Sequence, residues 1–343
     1  MYATANKKML NMLILDILRQ YSDEKHRLTQ QEIIRLLKAN YGMECDRRSV
    51  KNNVLYLNEL GYEISMDDGY YLISRKFDDA ELRMLIDSVL FSKSLTQQQA
   101  KRLVDKLRAM GNRYFSAKVA HIYNLPELQH ADNKQLLYAL DAVNDAIADK
   151  KKIRFIYNEY GTDLRLHPRR AEPYIVNPYQ IVANNGFFYL VGNYDKYDNV
   201  SHYRLDKMTC VEVLDEKVRP KNEVEDFANG YSLPKHMAEH IYMFSGPSIR
   251  VKFLIPKGMI NDLGDWFGKD FRICGIDENG MAEIAVTCNE KAMFFWALQY
   301  GPYVEVLEPS SLREQVADAI GKMNIKYSGG KNGRKIAREV FRT

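Results

Sequence analysis

Apolar residues recur three and four apart through Leu10, Leu13, Ile14, Ile17 and Leu18, the spacing of a helix over residues 7–21 with one inward face. Thr29-Gln-Gln-Glu32 then reads as a capping box, ahead of a second helix with Ile33, Ile34, Leu36 and Leu37 inside and Gly42 as its end. Asp46 is the natural N-cap of a third helix, whose inner stripe is Val50, Val54 and Leu57, with Gly61 as the stop. Residues 62–73 read as two short strands around Asp67-Asp68-Gly69, where the Asp-Gly pair supplies positive φ angles. Three helices followed by such a ribbon make a winged helix-turn-helix. Stepping about 100° per residue from Val50 places Arg48, Lys51, Asn52 and Leu55 on the outer side of the third helix. Together with Arg47 and Tyr56 on this helix, they are the candidate contacts to double-stranded DNA: basic groups suit guanine or phosphate, and asparagine suits the adenine edge. An ordinary solvated face is the plainer reading of the same residues.

Helical spacing continues over 77–110, with a break at 92–96, and again over 132–149 through Leu136, Leu137, Leu140, Val143 and Ile147. The last of these leads directly into a strand, so it is either a transmitting element or a plain strut. From Lys151 the period changes to two: Ile153, Phe155 and Tyr157 alternate with Arg154, Ile156 and Asn158. Asn158-Glu159-Tyr160-Gly161 predicts a break, and residues 169–178 read as turn-rich. Residues 179–183 and 187–191 then predict a hairpin through Asn184-Asn185-Gly186, and further strands follow at 202–205 and 210–214. Several short strands in quick succession make a small β-barrel. After a mixed stretch over 222–244, in which Pro234 precedes a short helix, the order is strand 248–255, helix 257–267, hairpin 271–276 and 281–286, helix 290–300, strand 304–307 and helix 309–326. That order is α+β of ferredoxin-like kind.

The 343 residues suffice for two or three domains, and 46% hydrophobic with 27% charged residues is the composition of a soluble globular chain. No secretion-type start and no long apolar run is present, which makes the cytoplasm the default and gives no membrane partner. Cys45, Cys210, Cys274 and Cys288 have no paired metal or redox spacing and read as free thiols. The net charge is +4, and the tail alone accounts for it through Lys331, Arg334, Lys335, Arg338 and Arg342 against Glu339. In the body, basic residues gather over 151–172. His236-Met-Ala-Glu239-His240 spells the H-x-x-E-H pattern of a zinc peptidase class, but the sequence points to no third ligand, so no metal, cofactor or enzyme is expected. Asn199-Val200-Ser201 matches a glycosylation site without a secretion signal, and no Gly-rich phosphate loop precedes a helix.

The run NPYQIVANNGFFYLVGNYDKYDNVSHYRLDKM resembles the WYL-domain family of bacterial transcription regulators. Phe188-Tyr189-Leu190 stands where the naming tripeptide does, with Phe for Trp, and Tyr203-Arg204-Leu205-Asp206-Lys207 matches the downstream arginine strand. The stretch from Tyr300 to Pro309, with Leu312-Arg313, is similar to the ending of the extension that follows many WYL domains. The resemblance implies an α+β multidomain protein. Its parts are a winged helix-turn-helix over 1–75, a helical linker over 76–131 and an Sm-like β-barrel sensor over 132–220. A connecting segment over 221–247, an α+β extension assisting dimerisation over 248–328 and a flexible basic tail over 329–343 complete it.

The expected ligand surface of the barrel gathers Tyr157, His167, Arg169, Arg170, Tyr179, Tyr189, His202 and Arg204. Guanidinium groups pair with phosphates, while tyrosine and histidine rings stack on bases. The plainer reading makes the aromatics barrel core and the arginines rim charges. For Arg204 the resemblance implies a role in holding an anionic nucleotide-like or oligonucleotide effector. The expectation is a ligand-responsive homodimeric DNA-binding regulator; the rival is an accessory protein whose barrel binds single-stranded RNA or DNA.

Overall fold

The computed structural model describes residues 7–119, 135–228 and 232–328, so the basic tail and the join at 120–134 lie outside the described residues. The chain divides into two compact units, Met1–Lys134 and Gln135–Thr343.

In the first unit, α1 (Leu10–Tyr21), α2 (Gln30–Tyr41) and α3 (Arg47–Glu59) enclose Ile14, Ile17, Leu18, Ile33, Leu37, Val50 and Val54, all without solvent exposure. The caps read from the sequence hold these helices in register. The Thr29 hydroxyl accepts from the Glu32 amide while the Glu32 carboxylate accepts from the Thr29 amide, and Asp46 accepts from the Ser49 amide at 2.7 Å. Each such cap is worth about 1 kcal/mol. Strands β1 (Ile64–Ser65) and β2 (Tyr71–Leu72) pair antiparallel, with Ile64 opposite Leu72. Their loop is wider than the two-residue turn of a tight hairpin. Asp68 and Gly69 both have positive φ, and a Cβ at Gly69 would stand 2.8 Å from the Cβ of Arg27, so the ribbon approaches the α1–α2 loop closely enough to need glycine there. α4 (Asp79–Phe91), α5 (Gln97–Arg108) and α6 (Arg113–Lys118) form a second core around Leu82, Ile86, Val104 and Phe115. α6 was not legible in the sequence; Asn112 caps it, accepting from the Phe115 amide.

The second unit opens with α7 (Leu136–Asp149), which ends at Lys150 in the left-handed conformation and turns directly into a strand. The strands β3 (Lys151–Tyr160), β4 (Leu166–Pro168), β5 (Tyr174–Asn184), β6 (Phe187–Asn193), β7 (Val200–Arg204) and β8 (Met208–Lys217) form one antiparallel sheet. Its order is β4-β3-β5-β6-β7, with β8 also on β3, so the sheet curls round β3. Two sequence expectations are corrected here. The break at residues 158–160 is strand, paired with β4, because the buried Asn158 amide donates to the Lys207 carbonyl and the Thr209 hydroxyl. Residues 174–178 are strand as well, since Asn177 is fully buried with its amide donating to Asn193 and Asp195. The β5–β6 turn is Asn185-Gly186, both with positive φ.

Beyond the sheet lie α8 (Glu225–Ala228) and α9 (Leu233–Glu239), with Pro234 inside the first turn of α9 and not ahead of it. A second antiparallel sheet comprises β9 (Ser248–Pro256), β10 (Phe271–Ile276), β11 (Met281–Asn289) and β12 (Glu305–Glu308), in the order β10-β11-β9-β12. α10 (Ile260–Phe267), α11 (Glu290–Gln299) and α12 (Ser310–Ser328) accompany it, around a core of Phe253, Phe267 and Trp296. Among the described residues, no helix is long and apolar enough to cross a membrane.

Candidate functional site

α3 buries Val50, Val54 and Leu57, which turns Arg47, Arg48, Lys51 and Asn52 to solvent. Leu55 and Tyr56 join them at 42% and 56% exposure, high values for apolar and aromatic side chains. The six form a basic, amide-bearing and partly apolar strip that is able to meet both phosphates and base edges.

In the second unit the site is built around Arg204, the last residue of β7. Antiparallel register sets it opposite Tyr189 of β6, so the two side chains share a face. The chain then turns through a short 3-10 segment, Leu205–Lys207, which brings Asp206 back beneath the arginine. Arg204 Nε and Nη2 donate to the two oxygens of Asp206 at 3.1 and 2.7 Å, and the guanidinium carbon lies 3.5 Å from the centre of the Phe187 ring. Asp206 has 2% of its side chain exposed, against 24% for Arg204. Burial, the largest single influence, opposes the guanidinium charge, but the Asp206 hydrogen bond and the negative charge of Asp206 and the neighbouring tyrosines together outweigh it and hold the Arg204 pKa above its ordinary value. The arginine is therefore fixed on one edge by a carboxylate and on one face by a ring, leaving its Nη1 edge for a ligand.

Tyr157 supports this arrangement from beneath. Its hydroxyl accepts from the Arg204 backbone N–H at 3.2 Å, and its ring packs edge-on against Phe155, Tyr174 and Tyr203. Burial pushes its phenol up to about 12. Lys207 completes the charge: burial first, then repulsion from Arg204, lowers its pKa. Arg169, exposed and 3.9 Å from Glu159, also acts on Lys207, so the edge of the site carries more positive charge than its own carboxylates offset. A stacking ring, a fixed guanidinium and a half-buried ammonium together suit an anion that carries an aromatic group.

The structure thus brings Tyr157, Tyr189 and Arg204 together, with Arg169 at the edge. It does not bring the others. Tyr179 is 5% exposed, packs on Phe227 and donates to the Arg219 carbonyl, so it belongs to the interior under α8. Arg170 is taken up by the chain itself, stacked 3.5 Å over Tyr174 and donating to the carbonyls of Glu172 and Pro173. His167 is exposed on β4 and paired with Asp163 at 2.9 Å. His202 lies under α9, with its Nε2 2.8 Å from that of His236. Sequence reasoning passed over Phe187 and Asp206 as site residues. Phe187 shares the face of Tyr189 two positions away, a signal period two contains; Asp206 depends on the 3-10 turn, which leaves no periodic trace.

The WYL domain family matches residues 138–213, and the WCX domain family matches residues 247–323. No curated protein matches the chain. Among solved structures, the proteasome accessory factor B/C of Arthrobacter aurescens is 14% identical with a TM-score of 0.30, over 95% of this chain and 50% of its own, so this chain spans half the length of that protein. A CRISPR Cas-related protein is 14% identical with a TM-score of 0.41, over 96% of this chain and 88% of its own. The Arg204 site lies wholly in the segment that matches the first domain, and the β9–β12 sheet in the segment that matches the second: the chain carries a WYL domain followed by a WCX domain.

Proposed function

We propose that this chain is a DNA-binding transcription regulator that acts as a homodimer and responds to an anionic nucleotide-like or oligonucleotide effector held at Arg204. The observation that carries the reading is the division of α3, with Val50, Val54 and Leu57 buried and every candidate groove contact exposed. Three helices followed by the β1–β2 ribbon support a winged helix-turn-helix, in which α3 enters the major groove. The curled sheet supports an Sm-like barrel, and the order β12-β9-β11-β10 with its helices supports a ferredoxin-like extension; in this reading the extension joins two copies. Arg204, Tyr189, Phe187 and Lys207 receive the effector. The effector alters DNA occupancy by binding one arrangement of the dimer more tightly than the other, since equal affinity for both would shift nothing.

Fluorescence anisotropy on duplex DNA from upstream of the protein's own gene tests this, with short single-stranded oligonucleotides as effector probes. Sequence-dependent binding that the probe strengthens or weakens is the expected result. Binding with no sequence preference, indifferent to the probe, overturns it. The basic and aromatic surface at Arg204 also favours a second reading, in which the barrel binds single-stranded nucleic acid as its whole activity. In that case duplex DNA is bound no better than an unrelated polyanion.

A further inference from the structure

The H-x-x-E-H run on α9 lacked a third partner in the sequence, and the fold supplies one. His202 projects from β7 towards α9, and the rings of His202, His236 and His240 stand mutually close: centroids are 5.1 Å apart for His202–His236, 5.1 Å for His202–His240 and 4.2 Å for His236–His240. Three imidazoles on one tetrahedral ion have centroids about 5 Å apart, given metal–nitrogen bonds of about 2.05 Å, so the two pairs that include His202 already match and the stacked His236–His240 pair has to open slightly. The tautomers are suited to ligation. His240 Nδ1 lies 3.1 Å from the His236 carbonyl oxygen and bonds to it as a donor, which leaves the lone pair on Nε2. That is the outer bond a ligating histidine commonly makes. His202 Nδ1 is buried without a hydrogen-bond partner, so this polar cluster is not satisfied by its own members. His236 and His240 also line a cleft of about 390 Å³, whose walls carry Glu225, Asp226 and Glu239 against Lys235, an entry path of net negative sign.

We propose that His202, His236 and His240 form a site for one divalent transition metal ion of the zinc class, bound through imidazole nitrogens, which fastens α9 to β7. The rings here are in a closed arrangement, in which the Nε2 atoms of His202 and His236 are 2.8 Å apart, a hydrogen-bonding distance, and among the described residues no three His, Cys, Asp or Glu side chains are placed to hold an ion without moving. Two nitrogens on one zinc stand about 3.3 Å apart. Entry of the ion therefore parts this pair by about half an ångström, and the proton of that hydrogen bond moves to the Nδ1 of its own ring. Imidazoles beside carboxylates select zinc, nickel or copper over calcium or magnesium. The site is independent of the Arg204 reading and stands or falls without it.

The test uses the whole chain, stripped with a chelator, dialysed and titrated with zinc at neutral pH, with bound metal and thermal midpoint both read. One zinc per chain and a raised midpoint are expected. His202→Ala, His236→Ala and His240→Ala should each weaken binding by about tenfold or more, while His26→Ala, whose ring stacks on Tyr114, should leave it unchanged. Since truncating a buried histidine can itself loosen the fold, cobalt(II) added to the unmutated chain gives a second readout, an intense visible band marking tetrahedral nitrogen ligation. No retained zinc together with no such band overturns the proposal, as does zinc that binds equally well to His202→Ala.

Discussion

The outer face of α3 and the Arg204 site both present arginine and lysine, but they hold them in opposite ways. On α3, Arg47, Arg48, Lys51 and Asn52 extend from the helix into solvent. At the curled sheet, Arg204 is held by Asp206 on one edge and Phe187 on one face, with Tyr157 accepting from its backbone. Long solvated side chains order only on contact, losing up to about 2 kcal/mol of rotamer freedom each, and their attraction to phosphate is strongly screened by salt. A pre-ordered guanidinium has already lost that freedom on folding and rewards a ligand of matching shape. The first arrangement suits a surface that must search along DNA. The second suits a site that must distinguish one small anion from another.

The comparison is broken most severely by removing one side of it. Deletion of residues 1–75 should abolish duplex binding while short single-stranded oligonucleotides still bind the second unit, measured by anisotropy; retained duplex affinity would move DNA reading to the second unit. Arg204→Lys keeps the charge but loses the fork and the stack, and should cost 10- to 100-fold in effector affinity by calorimetry, in line with about 1.5–3 kcal/mol for a hydrogen bond to a charged group.

Acid sharpens the contrast next. His202 and His236 are held below the ordinary 6.5, His236 at about 3, chiefly by burial. Between those values the unfolded chain binds protons that the folded chain refuses, so stability is full above about 6.5 and falls as pH drops towards 3. Urea melts should show a slope of up to about 1.4 kcal/mol per pH unit from His236, with His202 adding to it in the same direction, and His236→Gln should flatten it. Hydrogen exchange should place the loss around β7 and α9 and leave α3 unaffected. The smallest effect expected is that of Tyr157→Phe, which removes the acceptor for the Arg204 amide and should cost about 1 kcal/mol in urea melts.

What the sequence disclosed follows how local each feature is. Thr29, Asp46 and Asn185-Gly186 announce caps and a turn because the bonds they make lie within a few residues. Asn158, Asn177 and Pro178 misled in the opposite direction: they are turn formers by habit, but the two asparagines find partners on distant strands, and such long-range satisfaction leaves no trace in local composition. At the site, alternation placed Tyr189 and Arg204 on one face. It placed His202 there as well, because period two tells which side a residue takes and not what covers it, and α9 covers His202. Arg170 shows the same limit, its guanidinium drawn onto Tyr174 by a turn no period describes.

The central claim is that α3 reads duplex DNA. Anisotropy titration of the full chain against its upstream duplex, across a range of salt, with Arg48→Ala combined with Lys51→Ala, tests it most directly. Loss of about 100-fold or more in specific affinity, together with a shallower salt dependence, is the predicted result. Unchanged affinity with an unchanged salt slope would contradict it.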